Sequence, residues 1–243
     1  MNQTIELLLS HRSIRRFTGD PIPDEHVRLA VRAGQMASTS SAVQAYACIR
    51  VRDPHKRREI AELSGPQEKV AVAPEFFVIC GDSTRHRLLC ERAGEPFEQR
   101  CEGFLISVID ASLFAQNMVV AFESMGYGVC YIGGIRNDLP RVARVLDLPR
   151  GAYPLFGLCV GKPAESPDAR PRLPQSAVLF DDGYPDEDAL LASIDDYDEE
   201  YRRYLADRGA EPRGWSESMI SKMAHARRVN VGPFYRSQGA NLD

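Results

Sequence analysis

The sequence predicts an α+β fold, in which helices and strands mix without the strict βα alternation of a doubly wound sheet. Three observations carry that expectation. Short apolar runs of strand type occur at 46–52, 75–80, 127–132 and 153–161, separated by stretches with helical spacing. One stretch, residues 102–125, stays apolar for far longer than a strand needs. No G-x-G-x-x-G fingerprint follows a strand, as it would in a dinucleotide-binding βαβ unit.

In chain order, a first helix is expected over residues 4–10. A second follows Pro21-Ile22-Pro23, with Asp24 as its cap and Val27, Ala30, Val31 and Gly34 on its apolar face. The small-residue segment Ala37-Ser38-Thr39-Ser40-Ser41-Ala42 reads as a loop. Residues 46–52 alternate as a strand and end at Asp53-Pro54, a turn signal, and a charged helix covers 56–63. Glu75-Phe76-Phe77-Val78-Ile79-Cys80 reads as a buried strand. In the 102–125 stretch, Ile106, Ile109, Leu113, Gln116 and Val120 lie close to one stripe, with Ala111, Ala115 and Ala121 beside it. Such a helix should be buried nearly all round. It stops at Gly126. A strand over 127–132 runs into Gly133-Gly134, Leu139, Val142, Ala143 and Leu146 mark another helix, and 153–161 is the last core strand.

After Gly161 the composition shifts. Residues 162–174 hold four prolines and read as an extended arm. Asp195-Asp196-Tyr197-Asp198-Glu199-Glu200 opens a charged helix with a solvated face, and a final helix is expected over 216–228.

The bulk properties exclude several classes of function. With 30 Lys+Arg against 34 Asp+Glu, the net charge of −4 offers no global field for nucleic acid. The N-terminus lacks the basic leader and cleavage site of a signal peptide, and no apolar run reaches the roughly 18 residues of a membrane span. A cytoplasmic protein with no membrane partner is expected. None of the six cysteines forms a C-x-x-C pair. Cys80, Cys130 and Cys159 sit in apolar runs, as structural thiols do. The five histidines show no metal-ligand spacing, and no serine has a G-x-S-x-G context.

Four segments can carry chemistry. His11-Arg12-Ser13-Ile14-Arg15-Arg16 packs donors suited to a phosphate, or forms a solvated basic turn. Arg170-Pro171-Arg172 holds two guanidinium groups on a stiff backbone, or is a surface linker. Ser38-Thr39-Ser40-Ser41 offers hydroxyls to a phosphate or ribityl chain, or is a plain loop. Tyr131-Ile132-Gly133-Gly134 lets backbone N–H groups approach a ligand, or is a tight turn.

Taken together and in this order, these segments resemble the bacterial oxygen-insensitive NADPH nitroreductases and NADPH–flavin oxidoreductases. The resemblance includes Thr4-Ile5-Glu6-Leu7, His11-Arg12-Ser13-Ile14-Arg15, Gln67, Ala115-Gln116-Asn117, the Gly126–Asn137 run, Pro154 through Gly161, and Pro167-Asp168 through Pro174. It covers at least residues 4–175, with a weaker echo at Arg208-Gly209 and Trp215.

That resemblance implies a nitroreductase-like FMN-binding sandwich: a mixed sheet flanked by helices, in a homodimer with FMN at the interface. It implies an FMN-binding core over residues 1–175 and a C-terminal helical extension with an NADPH-binding tail over 176–243. His11, Arg12, Ser13 and Arg172 would hold the FMN phosphate. Arg15 and Arg170 would sit by the pyrimidine edge, with Gln67 bonding ring polar atoms. Thr39 and Ser41 would come from the partner subunit. Tyr131, Ile132, Gly133 and Gly134 would face the ring by their backbone. Arg208 and Arg213 would grip the 2′-phosphate of NADPH. The implied activity is two-electron, ping-pong reduction of small-molecule acceptors such as nitro compounds, quinones or free flavin. No side chain acts as nucleophile or base, and no metal takes part. Two alternatives are reduction of another acceptor such as chromate, and a non-catalytic FMN-binding sensor.

Overall fold

The strand-type runs pair into one four-stranded sheet. In the computed structural model, which describes residues 2–243, the strands are β1 (Tyr46–Arg50), β2 (Glu75–Asp82), β3 (Gly128–Ile132) and β4 (Ala152–Gly161). Their order is β1-β2-β4-β3, and each neighbouring pair is antiparallel. The parallel component of the expected mixed sheet is confined to one bridge, from Ser13 to Val129 on the outer edge of β3. All eight residues of β2 are buried. Phe77 and Ile79 join one apolar cluster with Tyr153, Leu155, Leu158 and Val160 of β4, whereas Phe76, Val78, Cys80 and Cys159 join a second. A strand covered on both faces shows a continuous apolar run rather than alternation. The β2–β4 register slips at Ile79/Cys80, where Cys80 faces Pro154. Proline brings no N–H to the ladder, so the break falls there.

The chain divides into two units, Met1–Pro167 with Arg228–Asp243, and Asp168–Arg227. In the first unit the helices are α1 (Gln3–Leu9), α2 (Asp24–Gln35), α3 (Pro54–Leu63), α4 (Glu68–Val72), α5 (Thr84–Ala93), α6 (Cys101–Ser124) and α7 (Leu139–Val145). Pro23, not Asp24, occupies the cap position of α2. The Asp24 carboxylate instead meets Arg50 at 2.8 Å and Arg52 at 2.5 Å, and hydrogen bonds from these two hold its pKa below the usual range. Asp53-Pro54 starts a helix rather than a turn. The Asp53 side chain accepts from the N–H groups of His55 (2.7 Å) and Lys56 (3.2 Å), and Pro54 fills the first helical position. Neither α4 nor α5 is evident from spacing. The first is five residues long and the second buries none of its residues, so neither shows an apolar stripe.

The long helix α6 differs from expectation in its burial. Ala111, Phe114, Ala115, Met118, Val119 and Phe122 face the core. Leu105, Ile109 and Leu113 form the opposite stripe and are 46%, 53% and 42% exposed. A helix apolar all round does not say which face meets the sheet. Small residues of its neighbours decide. A Cβ at Gly34 of α2 would lie 2.8 Å from Met118 and Phe114, and one at Gly81 of β2 would lie 2.7 Å from Ser107 Oγ. By length and composition α6 is apolar enough to cross a membrane, contrary to the expectation that no such stretch exists. In this fold its buried face packs into the core cluster between α2 and the sheet.

The second unit holds α8 (Glu187–Asp207) and α9 (Trp215–Met223). Helix α8 starts well before residue 195, where the Asp186 carboxylate accepts from Ala189 N–H at 2.8 Å. Tyr197 and Asp198 are buried, which corrects the reading of the acidic run as a solvated face. Helix α9 is shorter than the 216–228 expected. The final helix, α10 (Val231–Ser237), belongs to the first unit and places Phe234 and Tyr235 in its core.

Candidate functional site

After α1 the chain runs along β3. Ile14 N–H donates to Val129 O at 2.9 Å, and the Ile14 side chain is buried over Gly128, where a Cβ would lie 2.6 Å from it. Glycine at 128 is therefore what lets segment 11–17 approach. Farther on, Phe17 bridges Pro163, Thr18 N–H donates to Lys162 O, and Ala164 N–H donates to Arg16 O, both at 2.9 Å. The basic segment is thus an anchored edge rather than a free turn. His11 Nδ1 lies 2.7 Å from Glu123 Oε1. The Arg12 guanidinium donates to Pro167 O at 3.0 Å and to Ser10 O at 3.2 Å.

Glu165 had no sequence signal, yet it organises this segment. Its Oε1 accepts from Arg15 N–H at 2.5 Å and Arg16 N–H at 3.1 Å, while Oε2 meets Arg16 Nε at 3.1 Å. Partial burial pushes its pKa up, but these hydrogen bonds outweigh that and hold it below the ordinary value. Because Glu165 occupies backbone N–H groups and Arg16, the Arg12 and Arg15 guanidiniums have no carboxylate partner among the described residues.

The end of β3 forms the second part of the site. A Cβ on Gly134 would lie 2.3 Å from Ser64 O and 2.5 Å from Gln67 Nε2, so only glycine fits. Gln67 Nε2 donates to Ser64 O at 2.9 Å, which sets its amide beside Gly134. Ile132 is buried, whereas Tyr131 is 37% exposed. Its hydroxyl donates to Gln116 Oε1 at 3.3 Å, and its ring meets Phe156 edge-on. Burial pushes the Cys130 thiol up, and the charges of Arg15 and Lys69 pull it back. Gln67 and Gly134 therefore meet just beyond β3, and the charges of Arg15 and Lys69 reach Cys130 within that strand. Lys69 escaped sequence reading because a lone lysine on a short helix carries no motif.

The loop after α2 is shaped by a buried acid. Asp110 of α6, wholly buried, accepts from Ser40 N–H at 3.1 Å and Ala45 N–H at 3.0 Å. Between them Ser41, Ala42 and Gln44 hold φ of 45°, 59° and 54°, left-handed values that non-glycine residues rarely adopt. The Thr39 and Ser41 hydroxyls have no hydrogen-bond partner among the described residues.

In the second unit, Tyr197 Oη donates to Pro171 O at 3.0 Å and so pins the arm between Arg170 and Arg172. Arg172 donates to Arg170 O at 3.4 Å. Burial raises the Tyr197 pKa, while both guanidiniums act against it. Arg208 caps the end of α8 and lies over the Tyr204 ring at 5.4 Å. Arg213 is exposed, one residue before Gly214. At Gly214 a Cβ would lie 2.7 Å from Asp198 Oδ2, and Asp198 also accepts from Ser216 N–H at 2.8 Å. Arg170, Arg172, Arg208 and Arg213 have no carboxylate partner among the described residues.

Comparison with known proteins agrees along the whole chain. The profile of the nitroreductase family matches residues 8–162, and that of the nitroreductase family C-terminal domain matches residues 170–243. The chain is 42% identical to the FMN reductase (NADPH) of Bacillus subtilis over 99% of each chain. It is 39% identical to the oxygen-insensitive NADPH nitroreductase of Salmonella typhimurium over 98% of each. Its fold superposes on the solved NfrA1 nitroreductase from B. subtilis with a TM-score of 0.96, at 42% identity, covering 99% of this chain and 100% of that one.

Proposed function

The chain belongs to the nitroreductase family, and on that footing we propose that it is an NADPH-dependent oxidoreductase that holds FMN and reduces small-molecule acceptors in two-electron, ping-pong turnovers. Nitro compounds, quinones and free flavin are the acceptor classes. A cytoplasmic location suits an enzyme that draws on NADPH.

The observation that carries this reading is the strip along β3, where the Arg12 and Arg15 guanidiniums, bonded only to backbone carbonyls, stand beside a glycine-lined close approach. The donor set fits a flavin mononucleotide. His11, Arg12 and Ser13, with Arg172, would hold its phosphate, because guanidinium and hydroxyl donors match phosphate oxygens. Glu123 fixes the His11 ring through Nδ1 and leaves Nε2 for that phosphate. Gln67 and the backbone at Tyr131, Ile132, Gly133 and Gly134 would meet the ring, where a residue larger than glycine at 134 would not fit.

FMN supplies the hydride-transfer chemistry when bound. The chain's part is to hold, orient and polarise. Arg15 and Arg170 would place positive charge at the flavin's pyrimidine edge, which would favour negative charge there without a side-chain acid or base. Arg208 and Arg213 would hold the 2′-phosphate of NADPH.

A homodimer belongs to the same proposal. Leu105, Ile109 and Leu113 on α6, and Ile5, Leu8 and Leu9 on α1, are large apolar side chains left exposed. A second copy would cover them and bring Thr39 and Ser41 to the neighbouring flavin. Ile109→Asp is expected to turn a dimer into monomers by sedimentation. Monomeric wild-type protein with full flavin would refute the dimer.

The functional reading is tested by the purified protein itself. It should be yellow, release FMN rather than FAD on heating, and be bleached by NADPH without oxygen. Colourless protein that takes up no added FMN would overturn the proposal, and bound FMN that NADPH does not bleach would leave a binding module.

A further inference from the structure

A polar cavity in the first unit, of about 520 Å³, uses none of the residues assigned above. It lies beside α5, the segment before α6, the start of β4 and the turn after α10. Among the described residues, three buried side-chain nitrogen or oxygen atoms lack a hydrogen-bond partner, and two of them, Arg87 Nε and Gln99 Nε2, belong to residues lining this cavity. Both are donors. Leaving two buried donors unpaired in one place is costly unless an acceptor fills the space.

The surroundings orient these donors. Tyr153, fully buried, donates its hydroxyl to Gln99 Oε1 at 3.2 Å, so the amide is held by its oxygen with Nε2 left over. Ser83 Oγ lies 3.2 Å from the same Tyr153 hydroxyl and donates to Gly151 O at 3.1 Å. Arg87 is held by Nη1, 2.5 Å from Glu91, which leaves Nε unused. Arg150 adds a second cationic side chain, packed across Gly239, where a Cβ would lie 3.0 Å from its Nε. With Arg87, Arg150 and Glu91 the lining carries a net positive charge. Donors held rigidly by their other atoms form a preorganised site, which lowers the ordering cost of binding.

We propose that this cavity binds a small oxyanion, a phosphate or carboxylate group, through Arg87, Gln99 and Arg150. Occupancy would tie α5 to the turn after α10 and stabilise the native state by mass action.

The test uses FMN-loaded protein, in which the flavin phosphate excludes free anion from its own site. Inorganic phosphate and succinate are titrated separately at constant ionic strength, read by calorimetry and by melting temperature. Saturable binding of either ion is expected. Phosphate alone would identify a phosphorylated ligand, and succinate alone a carboxylate. The R150E variant alters an exposed side chain, and Q99E replaces a donor by an acceptor at constant size. Each should weaken binding by about tenfold or more, as loss of a charge-assisted hydrogen bond does, with flavin absorbance unchanged. The R208A variant should bind the anion as wild type does. Absence of saturable binding, full binding in both R150E and Q99E, or loss confined to R208A would overturn the proposal.

Discussion

Arg12 and Arg15 stand on a backbone that β3, Lys162 and Glu165 hold from both sides, whereas Arg208 and Arg213 stand at a helix end and in an exposed connection. Both segments present guanidinium groups without carboxylate partners, yet one is anchored along the sheet edge and the other lies exposed. A pinned segment binds with little further ordering and suits a ligand kept from one turnover to the next. An exposed one at the end of a helix suits a ligand that must leave in every cycle. The contrast matches the two proposed phosphates, of resident FMN and of exchanging NADPH.

The largest effect should come from the pinned side. Replacing both Arg12 and Arg172 by alanine removes two charge-assisted contacts, each contributing about 1.5–3 kcal/mol, so FMN should bind roughly a hundredfold or more weakly. Fluorescence titration of apoprotein measures this. An unchanged flavin-to-protein ratio would place the phosphate elsewhere.

Next comes the acid beneath the strained loop. Asp110→Ala leaves the Ser40 and Ala45 N–H groups without their acceptor and should lower unfolding free energy by about 2–4 kcal/mol. Asp110→Asn, which keeps one acceptor, should fall between. Urea melts showing both variants equal to wild type would mean that the loop holds itself.

The exposed side should respond more narrowly. Arg208→Ala is expected to raise KM for NADPH about tenfold, leaving NADH turnover and bound FMN nearly unchanged, since NADH lacks the 2′-phosphate. Equal loss with both nicotinamides would erase the proposed division between the two segments.

The smallest effect sharpens the account of pinning. Glu165→Gln keeps an acceptor but removes its charge, and should cost about 1 kcal/mol at neutral pH. The folded-state pKa of Glu165 is depressed, so its contribution is present above the ordinary glutamate value of about 4.3 and fades as pH falls through the lower, folded value. Wild type and variant should therefore converge in acid. A stability difference independent of pH would show that the Glu165 charge plays no part.

The basic segment 11–17 and the paired glycines after β3 were legible because chemistry was concentrated in a few consecutive residues. The residues that set their geometry were not. His11 meets Glu123 across 112 positions, Arg15 meets Glu165 across 150, and Ser40 meets Asp110 across 70. An isolated carboxylate in a sequence does not say which N–H it will find. Asp198 shows the same limit, since five neighbouring polar and aromatic residues disguised a buried acceptor as part of a solvated run.

By itself the sequence determined the strands, the long apolar helix and the donor types that a phosphate requires, because periodicity and residue chemistry are local properties. Which face of α6 meets the sheet was decided only in three dimensions, by Gly34 and Gly81 admitting close contact on one side. The left-handed turn at Ser41 was likewise decided by Asp110, a residue that no local propensity connects to it. Burial and hydrogen bonding between distant positions are properties of the packed chain, and they convert a list of capable residues into an ordered site.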